Sequence, residues 1–138
     1  MPDMTIREHM RDRLRAEADP EYREFHSRLL PGITGIVGVR TPVLRTLAKE
    51  LLKGDWKEYI SQVSAAWKAE GQGEDGVYYD ELILWGLCIC KGFKKWEDAA
   101  PYITGFIPAI NNWAVCDIFC GSLKMAGRYR QEAWEFIQ

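Results

Sequence analysis

The chain has 138 residues with 18 Lys+Arg against 20 Asp+Glu, a formal net charge of -2. A chain of this length reads as one domain over residues 1–138 that buries about 70% of the surface its unfolded form exposes, so it needs neither disulfides nor a metal to acquire a core. A composition of 47% hydrophobic and 28% charged residues excludes intrinsic disorder. The balanced charge denies the chain a global basic signature, so any nucleic-acid contact rests on a local patch.

The first residues, Met1 to Ala18, alternate Arg with Asp and Glu and hold no apolar stretch, which excludes a signal peptide. Asp19-Pro20 is an N-cap followed by proline at the first helical position and opens a helix to about Leu30. Thr41-Pro42 repeats the device, and the helix that follows carries Val43, Leu44, Leu47, Ala48, Leu51 and Leu52 on one side until Gly54 stops it. Asp55 caps the next helix, with a stripe of Trp56, Tyr59, Ile60, Val63 and Trp67, and the acidic, glycine-rich Ala69–Gly76 forms a loop. Tyr78 to Gly92 is apolar nearly all round the helical wheel, which predicts a central helix covered on several sides. Its apolar run, Leu82–Cys90, is about half a bilayer span, so no membrane partner is expected and the protein is placed in the cytoplasm.

Trp96 to Phe106 supplies an antiparallel partner, with Pro101 acceptable only in a first turn, and Pro108 ends it. A further helix starts near Asn111-Asn112 and runs to about Gly127, and Gln131 to Ile137 opens another. With no sustained β alternation, the fold class is all-α. Helix pairs recurring every 35–40 residues or so predict a HEAT-like solenoid, and the unfinished last pattern, with Trp134 and Phe136 in need of cover, reads as part of a longer array.

Candidate chemistry is sparse. Cys88 and Cys90, and Cys116 and Cys120, lie inside apolar helical patterns and not on the turns that carry zinc pairs, and residues two apart on a helix point to different sides, so buried free thiols and no metal are expected. His9 and His26 have no ligand array around them and read as surface or packing residues. Asp80, Glu81, Glu97 and Asp98 sit in first turns, where acids oppose the positive helix end. On the helix from Asn112, stepping about 100° per residue puts Val115, Phe119, Leu123 and Ala126 on a core face, while Trp113, Asp117 and Lys124 share a stripe well away from it, with Gly121 alongside. A tryptophan one turn from a carboxylate can form a shallow site for something flat or cationic, or else pack under a neighbouring repeat with Asp117 paired to Lys124.

The run Leu30-Pro31, then Gly38-Val39-Arg40-Thr41-Pro42-Val43-Leu44-Arg45, then Tyr78-Tyr79-x-Glu81, then Asn112-Trp113-x3-Asp117 resembles the DNA alkylation repair family of HEAT-like-repeat glycosylases, over about Asp19 to Gln138. The resemblance implies that Asp117 is the catalytic aspartate and Trp113 the aromatic residue one turn before it. It further implies a substrate of double-stranded DNA carrying purines alkylated at N3 or N7, a monomer, and no cofactor. Asn112 and Ala114 stand where well-characterised members carry Trp and Asp, and Phe25 lies near an expected tyrosine. A further aromatic and a basic residue of the family's site fall in repeats beyond Gln138. Arg45, Lys49 and Lys53, four residues apart, form a basic ladder opposite Leu44, Leu47 and Leu51. With Arg40 and Lys124 they are the candidate phosphate contacts. Lys91, Lys94 and Lys95 form a second basic cluster. A non-catalytic HEAT-like module that binds DNA or a protein partner is the alternative.

Overall fold

The computed structural model describes residues 4–123, and among these the regular elements are helices joined by turns, with one isolated bridge between Gln72 and Val77. The helices are α1 (Ile6–Ala16), α2 (Pro20–Leu29), α3 (Thr41–Leu52), α4 (Trp56–Glu70), α5 (Tyr79–Gly92), α6 (Trp96–Phe106) and α7 (Trp113–Ser122), with a short 3-10 turn at Ile107–Ala109. The protein is all-α, as the periodicity predicts.

Local chemistry accounts for most helix starts. Thr5 and Glu8 form a reciprocal capping box that begins α1, which is anchored by Met10 and Leu14 one turn apart. Asp19 caps α2 by accepting from the backbone N–H groups of Glu21 and Tyr22, with Pro20 in the first turn where its missing N–H costs nothing. At α3 the cap is Arg40 rather than Thr41: the Arg40 carbonyl accepts the first intrahelical bonds, from Val43 and Leu44, so Thr41 is already helical. Asp55 precedes α4 as expected, yet its side chain makes no capping bond.

Pro101 departs from expectation, because it lies at the sixth residue of α6 and not in the first turn. Its ring is exposed, so the Glu97 carbonyl that loses its intrahelical donor faces the solvent side of the helix, where water can replace the bond.

The central position of α5 follows from its composition. Every residue from Tyr79 to Cys90 is buried, and α3, α4, α6 and α7 all pack on it. Fully burying each Leu or Ile side chain is worth about 1.5–3 kcal/mol, so α5 supplies the largest apolar term of any helix described. Gly86 makes room for this: a Cβ there would come within 3.0 Å of Phe106 and 3.1 Å of Phe119, so α6 and α7 approach α5 through the glycine.

The first turn of α5 also organises the N-terminal part of the molecule. Asp80, completely buried, accepts from the backbone N–H groups of Val37 (2.7 Å) and Val39 (3.0 Å) and so fixes the extended segment before α3. Between those valines Gly38 adopts φ +94°, and a Cβ there would sit 2.5 Å from Arg23 Cβ, so both conformation and space demand glycine. Glu81, also completely buried, is held by Arg7 (3.2 Å) and Arg11 (3.1 Å) of α1. These two acids are therefore long-range ties and not merely first-turn charges, a role invisible to helix-end rules because their partners lie about 40 and 70 residues away.

Candidate functional site

Helix α7 carries the site. Asn112 caps it by accepting from the Val115 N–H at 2.9 Å, and Asn111 braces the cap through the Gln72 side chain at 3.1 Å. This fixes the register that decides which residues face outward. Ala114, Val115, Phe119 and Ser122 are buried, while Cys116, Asp117, Cys120 and Gly121 are exposed, and Trp113 keeps 55% of its surface. The outward stripe of Trp113 and Asp117 is thus present as the wheel predicts.

Trp113 is not loose. Its indole N–H donates to the Leu29 carbonyl at 3.2 Å, at the last residue of α2, so the ring is oriented while its faces stay open. The bond also uses an orphan carbonyl of the α2 terminus. One turn on, Asp117 has no ion-pair partner among the described residues. An aromatic plate beside an uncommitted carboxylate can attract a cation or a developing positive charge.

The thiols on this helix correct an expectation. Cys88 and Cys90 are buried, and burial pushes each up to about 12, whereas Cys116 and Cys120 are exposed. The reason is geometric: α7 packs one face on α5, with Phe119 against Phe106 of α6, and both cysteines fall outside that face, on the side of Trp113. Partial burial raises the Cys120 thiol, with neighbouring Cys116 and Asp117 adding to the effect.

Among the basic candidates, Arg45 reaches α7 directly and donates to Ser122 Oγ at 3.3 Å. Lys49 and Lys53 continue along the exposed side of α3. Glu50 interrupts that side, but Arg13 pairs with it at 2.7 Å and, ahead of Lys53, holds its carboxyl below the usual range. Arg40 points to α2, where it pairs with the capping carboxylate of Asp19 at 3.0 Å and lies 4.9 Å from the Tyr22 ring centre. Lys124 lies outside the described residues, as do Ala126 and the pattern from Gln131 to Ile137.

Leu29, which sequence reasoning did not place in the site, adjoins it, together with Phe25, which the family resemblance set only near an expected tyrosine. Phe25 (59% exposed) and Leu29 (43%) lie one turn apart on α2, and Leu29 is the residue to which Trp113 is bonded. No sequence signal marks them as exposed, since Tyr22, Phe25 and Leu29 recur at helical spacing; the structure shows that α2 buries only His26. His26 itself packs as expected, bonded through Nε2 to the Tyr79 hydroxyl at 2.8 Å, and desolvation depresses its pKa.

No described helix is long and apolar enough to cross a membrane. Neither the curated proteins nor the solved structures yield a match to this chain. A family model described as DNA alkylation repair enzyme matches residues 10–135. That match spans the seven described helices but for the first turn of α1, and it includes the Gly38 turn, the Asp80 and Glu81 ties and the Trp113–Asp117 stripe, so the chain belongs to the DNA alkylation repair family, with DNA repair as its role and DNA as its partner.

Proposed function

We propose that this protein is a DNA glycosylase that hydrolyses the N-glycosidic bond of purines carrying a positive charge from alkylation at N3 or N7. The observation that carries the reading is the pairing on one exposed stripe of an indole fixed by the Leu29 carbonyl and, one turn away, the exposed carboxylate of Asp117, which has no ion pair among the described residues. An alkylated, cationic purine is a good leaving group without strong acid catalysis. What the protein must supply is negative potential for the oxocarbenium-like sugar and an orientation for the attacking water, and Asp117 suits both tasks. Trp113 would lie against the sugar or the cationic nucleotide, an attraction of about 0.5–2 kcal/mol. Arg45, Lys49 and Lys53 would hold phosphates of double-stranded DNA. Arg40 would join them by exchanging its ion pair with Asp19, and Lys124 completes the proposed contacts.

The same reading takes α3, α5 and α7, which begin at residues 41, 79 and 113 and pack in succession, as the inner helices of HEAT-like repeats in a monomeric, cytoplasmic protein. Exposure of Asp117 favours a second reading, a non-catalytic module that binds DNA without cleaving it, because catalytic carboxylates gain strength from excluding water. Release of 7-methylguanine and 3-methyladenine from methylated DNA by the wild-type protein and by Asp117→Asn decides between them. Release that is lost in the variant supports the glycosylase, and DNA binding without release by either protein supports the module.

A further inference from the structure

A groove between α4 and α6 shares no residue with the proposed catalytic surface. The two helices pack on α5 without packing closely on one another, and the space between them is a cavity of about 470 Å³. One wall is a single helical stripe, Lys57, Ser61, Ser64 and Lys68, at the i, i+4, i+7, i+11 spacing that lines one face. The other wall is Pro101, Tyr102 and Gly105, and Ile60 and Trp85 form the floor. The short side chains at Ser61, Ser64 and Gly105 leave the groove open, and a Cβ at Gly105 would meet nothing within 4 Å.

Three features define what fits. First, the lining holds two cations and no carboxylate, and neither Lys57 nor Lys68 has an ion-pair partner among the described residues. Second, Trp85 is 1% exposed and its Nε1 donor has no acceptor among the described residues, which is costly for a buried polar group. Third, the Lys57 end is aromatic: the ammonium lies 5.5 Å from the Trp56 ring centre and 5.7 Å from that of Phe93, and Phe93 in turn meets Tyr102 in a tilted contact at 4.7 Å between ring centres.

We infer that this groove binds a short extended peptide segment of a partner protein, acidic at both ends and apolar in the middle. Eleven residues of helix separate the two lysines by about 16 Å along the axis, a distance that an extended peptide covers in about five residues. Acidic side chains would then meet Lys57 and Lys68 while an apolar or proline residue lies between Tyr102 and Pro101. Peptide carbonyls would face the serine hydroxyls and the tryptophan-bearing floor.

The test uses fluorescence anisotropy with the full chain and a fluorescein-labelled octapeptide that has two acidic residues at each end of an Ala-Phe-Pro-Ala centre. A ten-nucleotide oligothymidylate and a peptide with lysines in place of the acids serve as comparators. Saturable binding of the acidic peptide alone is expected. The double variant Lys57→Glu, Lys68→Glu should weaken it by about tenfold or more, and Gly105→Trp, which fills the groove without touching its charge, should do the same. Circular dichroism and the thermal midpoint of both variants should match wild type, since every substituted position is exposed. Absence of saturable binding by the folded wild type, or binding that survives both variants, overturns the proposal. Equal binding of oligothymidylate, lost on charge reversal but kept in Gly105→Trp, overturns it in favour of a polyanion surface. Excision of alkylated bases is measured separately, and neither outcome there bears on this groove.

Discussion

The starts of α5 and α7 pose the same problem with opposite solutions. Each helix begins with an aromatic residue and carries carboxylates within or just after its first turn, two in α5 and one in α7. At α5 the acids, Asp80 and Glu81, are fully buried, and every partner is supplied by the fold: the Val37 and Val39 N–H groups for one, Arg7 and Arg11 for the other. At α7, Asp117 is exposed with no ion pair among the described residues, beside a tryptophan whose single donor is committed and which keeps 55% of its surface. A carboxylate whose partners are all provided is architecture. One left without them is available to a ligand.

The sharpest way to break this comparison is Asp80→Ala, which leaves two buried N–H groups without an acceptor and should cost about 4 kcal/mol of unfolding free energy in denaturant titration. Asp117→Ala, in contrast, should change stability by no more than about 0.5 kcal/mol. If the two cost the same, the distinction between the helices fails. On the functional side, Asp117→Asn should lower the single-turnover rate of 7-methylguanine release by about 100-fold or more, the scale on which loss of one transition-state electrostatic partner is felt. Circular dichroism should not change.

Smaller effects sharpen the picture. Trp113→Ala should weaken affinity for alkylated DNA by about 1–2 kcal/mol, while Trp113→Phe, which loses only the bond to Leu29, should retain part of it. Arg45→Ala with Lys49→Ala should reduce the slope of log affinity against log salt by about 1.8 if each cation meets one phosphate. An unchanged slope would place DNA elsewhere.

The smallest effect concerns pH. His26 is desolvated against Tyr79, which holds its folded-state pKa below the ordinary histidine value of 6.5. Folding therefore favours the neutral ring, so its contribution is complete above about pH 6.5 and is lost as pH falls through the depressed value. His26→Gln should accordingly lose less of its thermal midpoint than wild type between pH 7.5 and 5.5. Burial raises the Asp80 and Glu81 carboxyls, which makes their own contributions decline as pH rises, so the comparison of variant with wild type is the informative quantity.

Much of this molecule could be read from its residues one helix at a time. The Asp19-Pro20 cap, the stripe of α3, the all-round apolarity of α5 and the outward pair Trp113 and Asp117 depend on interactions within about one turn, and the helical period projects them onto faces directly. The wheel failed at its edges. Cys116 and Cys120 lie just outside the buried arc of α7, and how wide that arc is depends on which helices cover it.

Only the tertiary structure decided the rest. That Trp113 is bonded to Leu29, Arg45 to Ser122 and Asp80 to the Gly38 turn are facts about segments 84, 77 and about 40 residues apart, and no local pattern encodes them. The sequence by itself determined that the chain is helical, which helix sits at its centre and which stripe holds the carboxylate. Contact between distant segments determined which acids are consumed in holding the fold, because the partners of a buried charge must come from wherever the chain returns.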